Sequence, residues 1–154
     1  MEYKRSEDGG RTWSKSAPLK YSKRVYEAVT GRSVMCEKAV CTNNGDILLF
    51  CLECANIAEN NFTWKPLAVP TVLRSSDGGR TWEDAKPMSE EPGRIWDVLY
   101  HDGVIFVLKL FNDSSIAWYG NLPEHNYSLY VSKDQGRTFT RRSLLPFEFM
   151  QRGY

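Results

Sequence analysis

One eight-residue phrase occurs three times in this chain. It reads Ser6-Glu7-Asp8-Gly9-Gly10-Arg11-Thr12-Trp13, then Ser75-Ser76-Asp77-Gly78-Gly79-Arg80-Thr81-Trp82, then Ser132-Lys133-Asp134-Gln135-Gly136-Arg137-Thr138-Phe139. The common frame is Ser-x-Asp-x-Gly-Arg-Thr-aromatic. Physically this is a hairpin corner that fastens itself. Ser and Asp side chains accept hydrogen bonds from backbone N–H groups just ahead, replacing ladder partners lost at a turn. Gly10, Gly79 and Gly136 supply a backbone angle that side chains resist. Thr12, Thr81 and Thr138 return the chain to β geometry, and Trp13, Trp82 and Phe139 can cover the corner. The phrase has too few oxygens for a calcium shell, so no metal site is read from it.

The segments between the phrases repeat as well. Asn43-Asn44-Gly45-Asp46 separates two apolar runs, and Asn-Gly there predicts a hairpin with a type I′ turn. Asp102-Gly103 does the same one repeat later. Gly45 and Gly103 are 58 residues apart, and Asp77 and Asp134 are 57 apart. Each unit therefore reads strand, tight turn, strand, long loop, strand, Asp phrase, strand. A four-stranded antiparallel meander at a fixed period is the pattern of a propeller blade, so the expected fold is all-β. The units fall at 1–19 (half a blade), 34–87, 95–144 and 147–154 (the start of another). Residues 20–33 read as a loop of mixed charge, and no stretch has the period and length of a helix.

The 154 residues suit one domain, and 42% hydrophobic content can build a core. The formal net charge is +1 and like-charge runs are short, which argues against nucleic-acid and membrane-surface partners. No apolar run reaches the roughly 20 residues of a membrane helix, and no signal peptide is visible.

The phrase is similar to the Asp-box, or neuraminidase repeat, of the sialidase superfamily, and the blade spacing extends that resemblance over nearly the whole chain. The resemblance implies a sialidase-like β-propeller with its boxes between the third and fourth strands of each blade, away from any active site. It also implies an exo-glycosidase acting on or binding terminal acidic sugars, with no cofactor, in a secreted or cytoplasmic protein. Non-catalytic proteins that bind glycan or protein carry the same box, so that alternative stands beside it.

Such a site would lie in the loops opposite the boxes. In the family, three Arg clamp a carboxylate, a Glu activates a Tyr nucleophile and an Asp works as acid/base. Arg94, in Gly93-Arg94-Ile95-Trp96, stands where the family's first Arg enters an inner strand, although it lacks the flanking aromatic and Pro. Arg152, with Tyr154 beside it, is placed similarly. Glu37 and Asp97 enter inner strands where apolar residues are expected, and Glu53 ends a second strand. Arg32, Trp64, Trp118 and Tyr119 are candidates for substrate contact, the aromatics as stacking platforms. Trp96 reads as core or packing between blades.

The four cysteines, Cys36, Cys41, Cys51 and Cys54, could suggest zinc. A hairpin through Asn44-Gly45 sets position 36 opposite 53, which spreads the sulfurs over both faces, so buried free thiols are expected, with a disulfide as the alternative. Two and a half blades cannot close a ring of roughly four to eight. The expected partners are therefore further blades or further copies, with a carbohydrate ligand.

Overall fold

The computed structural model describes residues 1–28, 32–55, 69–111 and 126–145. Among them the chain is mostly β. In order it has β1 (Glu2–Tyr3), β2 (Ala17–Pro18), α1 (Lys20–Ala28), β3 (Arg32–Cys41), β4 (Ile47–Ala55), β5 (Thr71–Ser75), β6 (Lys86–Pro87), β7 (Arg94–His101), β8 (Val104–Phe111), β9 (Asn126–Ser132) and β10 (Thr140–Leu145). Strands β3-β4-β5-β6 form one antiparallel meander and β7-β8-β9-β10 a second, while β1 pairs with β2. Neither sheet closes on itself.

Period-two alternation sorts the side chains into layers. Along β4, Leu48 and Phe50 face the second sheet and Leu49 and Cys51 face the N-terminal layer. The first set packs with Val72, Ile95, Ile105, Val107 and Tyr130. The second set packs with Leu19, Tyr21, Val25, Val34 and Leu73. Phe50, Leu48, Ile105 and Val107 are completely buried. Each is worth about 1.5–3 kcal/mol in transfer from water, so the seam between the sheets is the main apolar joint.

Helix α1 corrects the reading of 20–33 as a loop. Tyr21, Ser22 and Val25 fall on one face and are buried. At nine residues the helix is too short to stand alone in water, so its packing on Val34, Cys51 and Leu73 holds it. The return strands are also shorter than expected. Only Ala17–Pro18 pairs after the first phrase, and only Lys86–Pro87 after the second.

The hairpin turns differ from each other. Asp102 (φ 47°) and Gly103 (φ 80°) are both left-handed, as a type I′ turn requires. At the first hairpin only Gly45 is left-handed. Gly45 N donates to Thr42 O, and Thr42 N to Asp46 O, both at 2.9 Å. That is a type I turn followed by a glycine bulge, not the type I′ turn expected for Asn44-Gly45.

Each inner strand carries a bulge, between Cys36 and Lys38 in β3 and between Ile95 and Asp97 in β7. The turn shifts the pairing by one residue, setting Cys41 opposite Ile47, and the first strand bulge shifts it by one more. Cys36 therefore faces Cys51 and Val34 faces Glu53, whereas the sequence placed 36 opposite 53. Cys51 is buried, Cys36 and Cys54 are half-buried and Cys41 is exposed. Burial of all four thiols is thus not what the fold delivers. Trp96, read as core or packing between blades, sits on the second bulge and turns outward, 53% exposed and edge-on to Tyr127, so it is not part of the core.

Candidate functional site

The three phrases are built alike. In the second, Asp77 accepts from Arg80 N and Thr81 N at 2.9 Å, from Thr81 Oγ1 at 2.6 Å and from Ser75 Oγ at 2.8 Å. Ser75 Oγ in turn accepts from Gly79 N at 2.8 Å. The same bonds recur around Asp8 with Ser6, and around Asp134 with Ser132. The carboxylates thus reach amides three and four residues ahead. Thr12 Oγ1 and its backbone amide hold the Asp8 carboxyl down at about 2. At Asp134 burial pulls upward, yet the bonds from Thr138, Ser132 and Arg137 outweigh it and leave the carboxyl at about 2. The Ser, Asp and Thr side-chain oxygens of each phrase are engaged in its own corner.

The phrases also join the layers. Trp82 packs edge-on against Tyr3, and Phe139 packs edge-on against Phe50. Arg80 pairs with Glu7 of the first phrase. Buried Arg74 pairs with Asp46 and donates to the carbonyl of Gln135 in the third phrase. Each later phrase is therefore clamped onto the layer before it. Trp13, 62% exposed, is the aromatic that packs on no described layer.

The opposite end gathers different chemistry. Glu37, on the β3 bulge, is 3% exposed. One of its oxygens accepts from Arg94 Nε at 2.7 Å and the other from Ile95 N at 2.6 Å. Asp97 lies 3.7 Å from Lys38, with both groups largely exposed. Farther along, Asn43 N donates to Tyr100 Oη at 3.1 Å. These contacts rise together along both strands, so β3 and β7 run side by side in the same direction.

A second cluster lies on the other face of the first sheet. Tyr21 Oη donates to Glu53 Oε1 at 2.9 Å, and Arg32 Nη1 lies 3.4 Å from Glu53 Oε2. Thr71 Oγ1 reaches both Tyr21 Oη (3.4 Å) and the Cys51 carbonyl (3.3 Å). Burial, reinforced by Glu53, pushes the Tyr21 phenol up to about 12. A phenol held that firmly in its protonated form is the reverse of an activated nucleophile.

The structure thus brings Glu37 to Arg94, and Arg32 to Glu53, as two separate ion pairs. Asp97 belongs to neither. Arg152, Tyr154, Trp64, Trp118 and Tyr119 lie outside the described residues. Sequence reasoning missed Tyr21 because its segment was taken for a loop. The spacing of Tyr21, Ser22 and Val25 was the available signal. Among the described residues no group of His, Cys, Asp and Glu is arranged to hold a metal, and no helix is long and apolar enough to cross a membrane. No family model matches the chain, and no curated protein matches it.

Proposed function

We propose that this chain is part of a sialidase-like Asp-box propeller that binds terminal acidic sugars at the end opposite its boxes. The observation that carries this is the polarity of the two ends. Each box spends its Ser, Asp and Thr side-chain oxygens on its own corner, while the opposite end collects Arg32, Arg94, Tyr21 and two glutamates beside the inner strands. The parallel run of β3 and β7 agrees with inner strands set around a common axis. Guanidinium groups suit a sugar carboxylate, because their planar fork matches its two oxygens. Further strands, from more blades or from other copies, would complete the ring.

A second, non-catalytic reading is favoured by one specific pairing. Glu37 is buried and takes both Arg94 Nε and Ile95 N, which is how a structural joint between sheets is built. Because this chain offers at best part of the three Arg, Tyr–Glu pair and Asp that the catalytic reading needs, it is expected by itself to turn over no fluorogenic sialoside, and measurable turnover would restore the catalytic reading. The binding reading is tested by calorimetric titration of the chain with N-acetylneuraminic acid and with galactose. Saturable binding of the acidic sugar alone, weakened by Arg32→Gln, is the expected result. Equal binding of both sugars, or of neither, would refute it.

A further inference from the structure

We infer that Cys36 and Cys51 form a reversible cross-strand disulfide site, a modification separate from the sugar-binding reading above. The geometry carries it. The two residues are direct partners in the β3–β4 ladder. Antiparallel partners have Cα atoms about 4.5–5.5 Å apart. A disulfide needs about 4.4–6.8 Å. Both side chains point to the same face, against Val34 and Leu73. The bulge after Cys36 creates this pairing, since without it Cys36 would face Leu52.

The surroundings assign the order of attack. Cys36 is half-buried and Cys51 fully buried, so Cys36 meets the oxidant first. The two thiols act on each other so that the Cys36 thiol is lowered and the buried Cys51 thiol is raised. Cys36 thiolate attacks one sulfur of a small-molecule disulfide such as oxidised glutathione. That S–S bond breaks, and one glutathione leaves with the electron pair and takes up a proton. Cys51 then loses its proton and attacks the Cys36 sulfur, releasing the second glutathione. The protein loses two hydrogens and the glutathione disulfide gains them. The new bond would pin both sides of the bulge from which Glu37 receives Arg94.

The experiment treats the folded chain with oxidised glutathione, alkylates the remaining thiols and maps the peptides. Trypsin cuts after Arg32 and Lys38, so Cys36 has its own peptide, while Cys41, Cys51 and Cys54 share the next. A Cys41→Ser/Cys54→Ser double variant leaves Cys51 as the only cysteine in that second peptide. The expected result is loss of two alkylatable thiols in wild type and double variant alike. The two peptides should be joined by a bond that dithiothreitol reverses, with an upward shift in thermal midpoint on oxidation. Full alkylation of all four thiols, a bond mapped to Cys41 or Cys54, or a link between chains would overturn the assignment.

Discussion

Replacing Gly136 by Ala, with Gly10→Ala as its internal control, isolates what the third box does between the sheets. The two glycines occupy the same place in their phrases and have nearly the same backbone, φ 80° and 87°. Holding Ala in the left-handed region costs about 1–2 kcal/mol at either site. Their surroundings differ. A Cβ at Gly10 would find only Trp13 Cζ2, at 3.8 Å. A Cβ at Gly136 would overlap the Leu48 methyl and stand 3.1 Å from Ile105 Cδ1. Leu48 and Ile105 are completely buried in the seam, so neither can swing into solvent. Overpacking of that kind adds about 1–3 kcal/mol. The expected totals are about 1–2 kcal/mol for Gly10→Ala and about 2–5 kcal/mol for Gly136→Ala. Urea unfolding followed by Trp fluorescence reads the difference. With a slope of about 2 kcal/mol/M, the Gly136→Ala midpoint should fall about 0.5–1.5 M further than that of the control. Equal losses at the two sites would refute the claim that the third box is wedged onto the first sheet.

Three further outcomes follow from the same structure. Breaking the Glu37–Arg94 pair by Glu37→Gln should cost about 2–3 kcal/mol, less than the 3–5 kcal/mol of a fully buried pair because Arg94 is 30% exposed. A double-mutant cycle with Arg94→Gln should give a coupling of about 1–2 kcal/mol in chemical denaturation, and additive losses would contradict the joint. Asp134, held at about 2 against 3.8 when unpaired, favours folding at pH values above the unfolded value. That contribution should disappear as the pH falls from about 4 to about 2, and Thr138→Val should move the carboxyl titration upward when followed by NMR. Arg74→Met should destabilise strongly in thermal melts, because it leaves buried Asp46 without its guanidinium and the Gln135 carbonyl without its donor.

The sheets were legible because their signals are local. Turn residues at Gly45 and Gly103, alternating apolar runs and the repeated phrase each depend on neighbours within a few positions. Both four-stranded meanders stand where that pattern put them. The misses came from longer range or finer geometry. Helix α1 has few apolar residues and exists because Tyr21 and Val25 find Val34 and Leu73, a partnership its own sequence does not announce. The bulge after Cys36 depends on Glu37 meeting Arg94 and Ile95 from another sheet, and it moved every pairing beyond it by one residue, on top of the one-residue shift made at the turn. Glu37 was picked out as unusual for an inner strand, and Arg94 by its likeness to the family's first Arg. The structure pairs them with each other. Tyr21 and Glu53 became neighbours through the helix, so the polar cluster around Arg32 could not be assembled from spacing alone.

The most direct test follows the backbone amides of isotope-labelled chain by NMR as N-acetylneuraminic acid is added. Saturable shifts at Arg32, Glu53 and Arg94, with the amides of Thr12, Thr81 and Thr138 unmoved, are predicted for boxes that fasten corners while the opposite end meets the ligand. Shifts centred on the boxes, or none at Arg32 and Arg94, would contradict it.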